Sequence, residues 1–409
     1  MSGQPAPFKN GPLSDLRVIE MGTLLAGPFC GQILGDMGAE VIKVEPPEGD
    51  SVRNLGYHDG KVSLYAASIL RNKKAVCIDM KTPAGVDLVR RLAARCDVVV
   101  ENFRPGTLER LGLGYEVLKA DNPGIVLVRI SGYGQDGPYH AKAGYGAICE
   151  AMGGVRHLTG DPDRPPARVG LATTDYLTAV YAAWGATMAL LQRAKTGVGQ
   201  VVDAALYESA FSMMESIVPA HDRLGVVPTR TGSRLQSTAP NNLYLGEDGG
   251  YVLITANNDK VFERLAQTMG MPELITDPRF ATVRARAANV DEIDAIVAGW
   301  VKRRSVRAVQ DQLDAAGVPV SLVYTVADIF ADPHFRARDM LVPVPHAQLG
   351  QLTMTGITPK LSDTPGGIHH PGPDLGADTA AVLSEVLGLG DAELDALARA
   401  GVARLAEKS

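Results

Sequence analysis

Short β-branched runs alternate with helical patterns through the first third of the chain, and this alternation constrains the fold more than any other feature. Leu16 to Glu20, Val41 to Val44, Ala75 to Asp79, Asp97 to Val100 and Ile125 to Ile130 are apolar runs of strand length. Helical spacing fills the gaps, first over about Pro28–Met37. A second helix is opened by Thr82-Pro83, where threonine suits the cap and proline the first turn. Strands separated by whole helices cannot close as hairpins, so they must run parallel through crossovers, with helices on both faces of the sheet. The expected class is α/β.

Beyond these units a long helix, about Tyr176 to Ala194, ends at Lys195-Thr196-Gly197. Residues 217–242 carry Pro, Gly, Arg, Ser and Thr with little periodicity and read as a linker. A second α+β unit follows. It has a strand at Tyr251–Ala256, helices at about Asp259–Met269, Val290–Arg303 and Val306–Ala316, and a strand at Pro319–Tyr324. A hairpin-like stretch near Val342–Thr355, a Pro/Gly-rich segment Asp363–Gly376 and two short helices, Thr379–Leu387 and Ala392–Ala400, complete the pattern.

The formal net charge of −6 over 409 residues argues against a nucleic-acid binder. Cys30, Cys77, Cys96 and Cys149 are widely spaced in or beside apolar runs. They read as reduced core thiols of a cytoplasmic protein, with no metal site. The amino-terminal MSGQPAPFKNGPL has no apolar core and reads as no secretory signal. The Ala-rich stretch Leu177–Leu191 is short for a membrane span and reads as a buried helix. His140, His157 and His369-His370 show no metal-ligand spacing. Gly132-Tyr133-Gly134-Gln135-Asp136-Gly137 matches the GxGxxG pattern and follows a strand. Pro138 comes next where a dinucleotide site needs a helix, so NAD is not expected.

Several ordered stretches resemble the class III CoA-transferase (CaiB/BaiF-like) family, the group of formyl-CoA transferase and carnitine CoA-transferase. They are Ala26-Gly27-Pro28, the run Leu34 to Pro46 (LGDMGAEVIKVEP), Gly49 to Arg53 (GDSVR), Asn72-Lys73-Lys74 and Val100 to Gly106 (VENFRPG). Gly134 to Tyr139 (GQDGPY), Lys195 to Gln200 (KTGVGQ) and the closing Leu375-Gly376, Thr379 and Val382-Leu383 complete the set. The resemblance runs nearly end to end and implies an interlocked homodimer. It also implies a large Rossmann-like domain built from residues 10–210 and 371–409, linkers at 211–230 and 327–370, and a small α+β domain at 231–326.

The resemblance makes Asp175 the nucleophile. Read from its neighbours alone, Asp175 in Thr173-Thr174-Asp175 is a helix N-cap; the two roles are compatible. An ionised carboxylate, with a reference pKa of ~3.9, needs no general base near neutrality. It can take an acyl group from a thioester as a mixed anhydride, then carry CoA as an aspartyl thioester. CoA and acyl-CoA are thus expected as substrates, with no permanently bound cofactor, and a small carboxylic acid as the other partner. The resemblance implies succinyl-CoA or another small acyl-CoA as donor. The family's CoA contacts map onto Leu25-Ala26, Ile78-Asp79-Met80-Lys81, Asn102-Phe103-Arg104, Arg110 and Gly144-Tyr145. Lys81 and Arg110 also read as solvated helix-flank charges. Leu25 and Pro46 replace the glutamine and arginine of the formyl-CoA transferase pattern, which argues away from oxalate. Two rival functions remain at this level: an α-methylacyl-CoA racemase-like epimerase and a non-catalytic CoA-binding protein. The racemase pattern has Gly-His-Asp where this chain has Gly144-Tyr145-Gly146, and a tyrosine of pKa ~10 is a poor base.

Overall fold

The computed structural model describes residues 11–235 and 237–406. Residues 1–10, on which most of the amino-terminal reading rests, and the last three residues of the 371–409 segment lie outside them. The chain divides into two compact units. One comprises Met1–Val155, Val169–Glu215 and His334–Ser409, the other Arg156–Arg168 and Ser216–Pro333.

The larger unit is organised by a seven-stranded sheet. Its strands are β1 (Arg17–Glu20), β2 (Glu40–Glu45), β3 (Lys73–Ile78), β4 (Val98–Glu101), β5 (Val126–Ser131), β6 (Val201–Ala205) and β7 (Ala403–Arg404). They lie in the order β7-β3-β2-β1-β4-β5-β6. All neighbours are parallel except β7, which returns antiparallel along β3 with Ala403 opposite Ile78. Successive side chains point to opposite faces. Accordingly Ile19, Ile42, Val76 and Val99 join one core with Leu88, Leu92, Val382 and Leu383, whereas Val18, Val41, Val98 and Val128 join another with Leu34, Ala182 and Ala186. With both faces covered, the strands read as largely apolar runs, and the charged residues Glu20, Lys43, Glu45 and Lys73 within them are buried as well.

Local signals act where the residue types indicate. The Thr82 hydroxyl caps the helix Pro83–Ala93 by accepting from the Gly85 amide at 3.0 Å, and Gly197 closes the long helix in the left-handed region at φ 75°. Three expectations need correction. The long helix is Thr173–Thr196 with Ala172 at the N-cap, so Asp175 sits inside the first turn and is not the cap. The Tyr176 amide bonds to the Ala172 carbonyl at 3.1 Å, so the N-cap lies one residue ahead of all three cap-type residues, with no side-chain cap. Nor is this helix buried all round. Its Ala face packs inward through Ala179, Ala182 and Ala186, while Val180, Trp184, Met188 and Leu191 are exposed. Finally, the helix Ile217–Leu224 occupies part of the stretch read as linker, closed by Gly225 at φ 66°.

In the second unit, strands Asn241–Leu245, Tyr251–Thr255 and Val320–Leu322 form an antiparallel sheet. Its core holds Phe262, Phe280 and Trp300. Arg286 is fully buried there, donating to the carbonyls of Ala239 and Phe280 and pairing with Asp259 at 2.9 Å.

Candidate active site

In an open parallel sheet, the loops that leave neighbouring strands in opposite directions part at the carboxyl ends, and ligands enter there. Here that point lies between β1 and β4, because the chain passes from β1 outward to β2 and β3, then returns to β4 on the other side. Asn102 joins the two loops: its side chain accepts from the Thr23 amide at 2.7 Å and donates to the Thr23 carbonyl at 2.8 Å.

A cleft of about 200 Å³ opens at this point. Asp175 lines it, together with Leu25, Ala26, Asn102, Phe103 and Arg104 from the loops after β1 and β4. The far wall is Lys142, Gly144 and Tyr145, which follow β5. Gly144 stands against Gly132 so closely that a Cβ on Gly144 would lie 2.8 Å from the Gly132 Cα. That contact folds the GxGxxG loop back on itself. No helix follows it until Gly146–Met152, so the pattern does not build a dinucleotide turn.

The Asp175 carboxylate rests on the next residue of this wall, Gly146. A Cβ built there would lie 1.9 Å from Oδ2 and 2.7 Å from Cγ. Below, burial raises the Cys149 thiol to about 11, with the Asp175 charge as a second cause. Tyr65 is shifted upward by burial, by its hydrogen bond with Tyr176 and by the Asp175 charge. Asp175 thus lies among neutral hydroxyl and thiol groups on its helix side.

A second cleft of about 340 Å³ lies over the carboxyl ends of β2 and β3 and contains Ile78, Asp79, Met80 and Lys81. Phe103 and Thr23 line both clefts. Of the sequence-derived contacts, only Arg110 lines neither. Its guanidinium donates to Thr107 at 2.9 Å, and Thr107 borders the second cleft. Lys81 pairs with Glu48 at 3.2 Å on the surface, a pairing of small energetic weight. Behind Phe103, Glu101 accepts from its amide at 2.7 Å and pairs with Arg129 at 2.8 Å. Burial nevertheless raises Glu101 to about 7, because desolvation of the carboxylate outweighs the pull of Arg129.

Next to the clefts is a buried ion cluster that sequence reading does not anticipate, and two of its members, Lys43 and Asp50, also line the second cleft. Lys43 pairs with Glu20 at 3.1 Å and with Asp50 at 2.9 Å; Lys73 pairs with Glu20 at 3.0 Å and donates to the Pro28 carbonyl. Glu45 binds the Asp50 amide and Arg53. All of these but Glu20 belong to the matched AGP, EVIKVEP, GDSVR and NKK stretches, so much of the resemblance reports scaffold. Gly146 and Lys142 were also missed. Gly146 has no signal in spacing, being 29 positions from Asp175.

The chain has no cluster of potential metal ligands and no helix long and apolar enough to cross a membrane, among the described residues. Its four cysteines are free and buried.

The profile of the CoA-transferase family III matches residues 13–379. The chain is 48% identical over 396 residues to the succinyl-CoA–D-citramalate CoA-transferase of Chloroflexus aurantiacus, covering 96% of this chain and 98% of that protein. It is 40% identical to the beta subunit of the succinyl-CoA–L-malate CoA-transferase of the same organism, with 94% and 96% covered. Among solved structures, a CaiB/BaiF family protein from Brucella suis superposes with a TM-score of 0.82 at 37% identity, over 92% of this chain and all of that one. A carboxylate-bearing cleft at the switch point of a parallel sheet, matched along nearly its whole length, makes this chain a member of the CoA-transferase family III and a CoA-transferase.

Proposed function

We propose that this enzyme moves CoA from succinyl-CoA to a small dicarboxylic acid through covalent intermediates on Asp175. The observation that carries the reading is the position of the Asp175 carboxylate, in the cleft at the switch point and seated on Gly146. The names of the relatives support the donor and the acid class.

Asp175 attacks the thioester carbonyl; the C–S bond breaks and CoA leaves as thiolate, giving a mixed anhydride. The thiolate then attacks Cγ of Asp175, releasing succinate and leaving an aspartyl-CoA thioester. The acceptor carboxylate displaces the thiolate from Cγ, and the thiolate returns to the acceptor's acyl carbon, which frees Asp175. Each step exchanges one activated acyl group for another, and no external base is consumed. In this reading the adenosine end of CoA occupies the apolar second cleft, with Phe103 at the junction, and Lys81 and Arg110 serve its phosphates. Leu25, Ala26, Asn102, Gly144 and Tyr145 flank the thioester arm. Arg104 and Lys142 face the first cleft and make no ion pair among the described residues, which suits the distal carboxylate of a diacid. Lys142, whose ammonium rests 3.4 Å from the centre of the Tyr139 ring, precedes the Gly144-Tyr145 wall of the cleft and is assigned that role.

The strand order 3-2-1-4-5-6 supports reading residues 10–210 and 371–409 as one Rossmann-like CoA-binding domain and 231–326 as the small domain. The exposed Val180, Trp184, Met188 and Leu191 face supports an interlocked homodimer. Four buried free thiols suit a reducing cytoplasm.

The test is a screen of acyl-CoA donors against carboxylic acids, read by mass spectrometry, on wild type and Asp175→Asn. Wild type should form new acyl-CoA and the variant none. In hydroxylamine, wild type should carry a hydroxamate at Asp175. Normal turnover in the variant, or a hydroxamate on another carboxylate, overturns the mechanism.

A further inference from the structure

The loop between β1 and the helix Ala26–Asp36 is held in a conformation its residues do not favour. Leu24 adopts φ 65°, in the left-handed region where a side chain with a Cβ crowds the backbone. Such a residue stays there only if its surroundings over-determine it. Three contacts do so, one of them fully buried and two partly buried. The Leu24 amide donates to Asp50 Oδ1 at 3.1 Å. The Gly22 carbonyl accepts from the Lys43 ammonium. Thr23 is held at both its amide and its carbonyl by Asn102.

Asp50 is itself fixed from every side. Its Oδ2 pairs with Lys43 at 2.9 Å, its amide donates to Glu45 at 2.9 Å, and its Oδ1 also accepts from the Val52 amide at 3.0 Å. Lys43 in turn is shared with Glu20, which Lys73 anchors to the same cluster. Asp50, Lys43 and Glu20 are all buried, so these bonds are made away from competing water. One carboxylate therefore transmits the rigidity of β2 to a loop whose residues Thr23, Leu24, Leu25 and Ala26 form a wall of the Asp175 cleft.

We infer that Asp50 is a positioning residue, which clamps Leu24 in the left-handed conformation and thereby fixes the Thr23–Ala26 wall of the Asp175 cleft. It touches no reacting atom in this assignment. The inference rests on the reading of that cleft as the site of CoA transfer, and its test separates the two.

The experiment compares Asp50→Ala with Asp50→Asn. Both leave Lys43 short of one counter-charge, but only the alanine removes the acceptor for the Leu24 amide. Amide hydrogen exchange read over the segment Gly22–Phe29 measures the clamp directly. Asp50→Ala should speed exchange at Leu24 by about tenfold or more, while Asp50→Asn should stay closer to wild type. A wall displaced by about 1 Å lowers turnover by about a hundredfold, so kcat should fall more in Asp50→Ala than in Asp50→Asn. Leu24→Gly in the Asp50→Ala chain should recover part of that loss, because glycine accepts φ > 0 without a clamp. Unchanged exchange at Leu24 in Asp50→Ala overturns the inference, as does equal damage from alanine and asparagine, or a loss of kcat with no recovery in the glycine double variant. If Lys43, left with Glu20 as its counter-charge, unfolds either protein, the same alanine–asparagine comparison is made in a Lys43→Met background, where both chains lack the Gly22 contact equally and a difference at Leu24 still reports Asp50. A wild type that transfers CoA to no acid would refute the function while leaving the exchange comparison to decide the clamp.

Discussion

Gly146→Ala tests the Asp175 cleft without touching the carboxylate. Gly146 does not have a positive φ, so alanine fits its backbone without strain. The added Cβ would lie 1.9 Å from Asp175 Oδ2. To regain an ordinary contact of about 3.4 Å the carboxylate must retreat by about 1.5 Å. Misplacement of a reacting group by about 1 Å costs roughly a hundredfold in rate, which is about 2.7 kcal/mol of barrier. The fold should feel much less. The obstructing atom is the end of a short side chain in an open cleft, and overpacking costs of about 1–3 kcal/mol belong to closed cores. Alanine in place of glycine near a helix start also returns a few tenths of a kcal/mol, roughly, through the unfolded chain. The variant should therefore melt within a few degrees of wild type, bind free CoA within about threefold, and lose kcat by about two decades. Steady-state transfer kinetics, thermal melting and CoA titration measure the three quantities. Wild-type kcat, or a loss of kcat matched by a collapse in melting temperature, refutes the argument that this glycine exists to seat the carboxylate.

Lys142→Met should raise KM for a diacid acceptor by about tenfold or more, the scale of one charge-assisted hydrogen bond, while free CoA binds nearly as before; equal KM values for mono- and diacids in the wild type would remove the assignment. Trp184→Glu places a charge on the exposed apolar helix face and should convert a dimer to monomer in sedimentation velocity, and a wild type already monomeric at micromolar concentration rejects that interface. Glu101 is raised from 4.5 to about 7 by burial, so between those values the folded chain holds a proton that the unfolded chain has released. Its contribution is complete below about pH 4.5 and is lost as pH rises through about 7. Melting temperatures of wild type should decline over that window relative to Glu101→Gln, which keeps an acceptor for the Phe103 amide. Parallel pH profiles would show that Arg129 holds Glu101 ionised throughout.

Much of the larger unit was legible in one dimension because its elements follow local rules. Five of the seven strands of the big sheet are legible within one or two residues, since both faces are covered and the runs are largely apolar, whereas Val201–Ala205 and the two-residue Ala403–Arg404 are not. The motif residues were legible as a resemblance, but their division of labour was not. Asn102, Phe103 and Arg104 line the cleft, whereas Lys43, Asp50, Arg53 and Lys73 of equally prominent motifs form the ion cluster next to it. The cap reading of Asp175 fails because the N-cap is Ala172, ahead of the cap-type residues Thr173, Thr174 and Asp175, a start that no local residue type signals.

Sequence alone determined the elements: short apolar β-branched runs become strands, threonine before proline starts the helix Pro83–Ala93, and glycine at 197 ends the long one, because these depend on interactions within a few residues. Tertiary structure decided where charge lies. In the segment EVIKVE a lysine reads as solvent-facing, yet Lys43 is 1% exposed, because β2 lies inside the sheet, with carboxylates from β1 and from the loop after β2 converging on it. The contact of Asp175 with Gly146 was decided the same way. It joins two helix starts that only the order of strands brings together, and no residue near either one in sequence carries its signal.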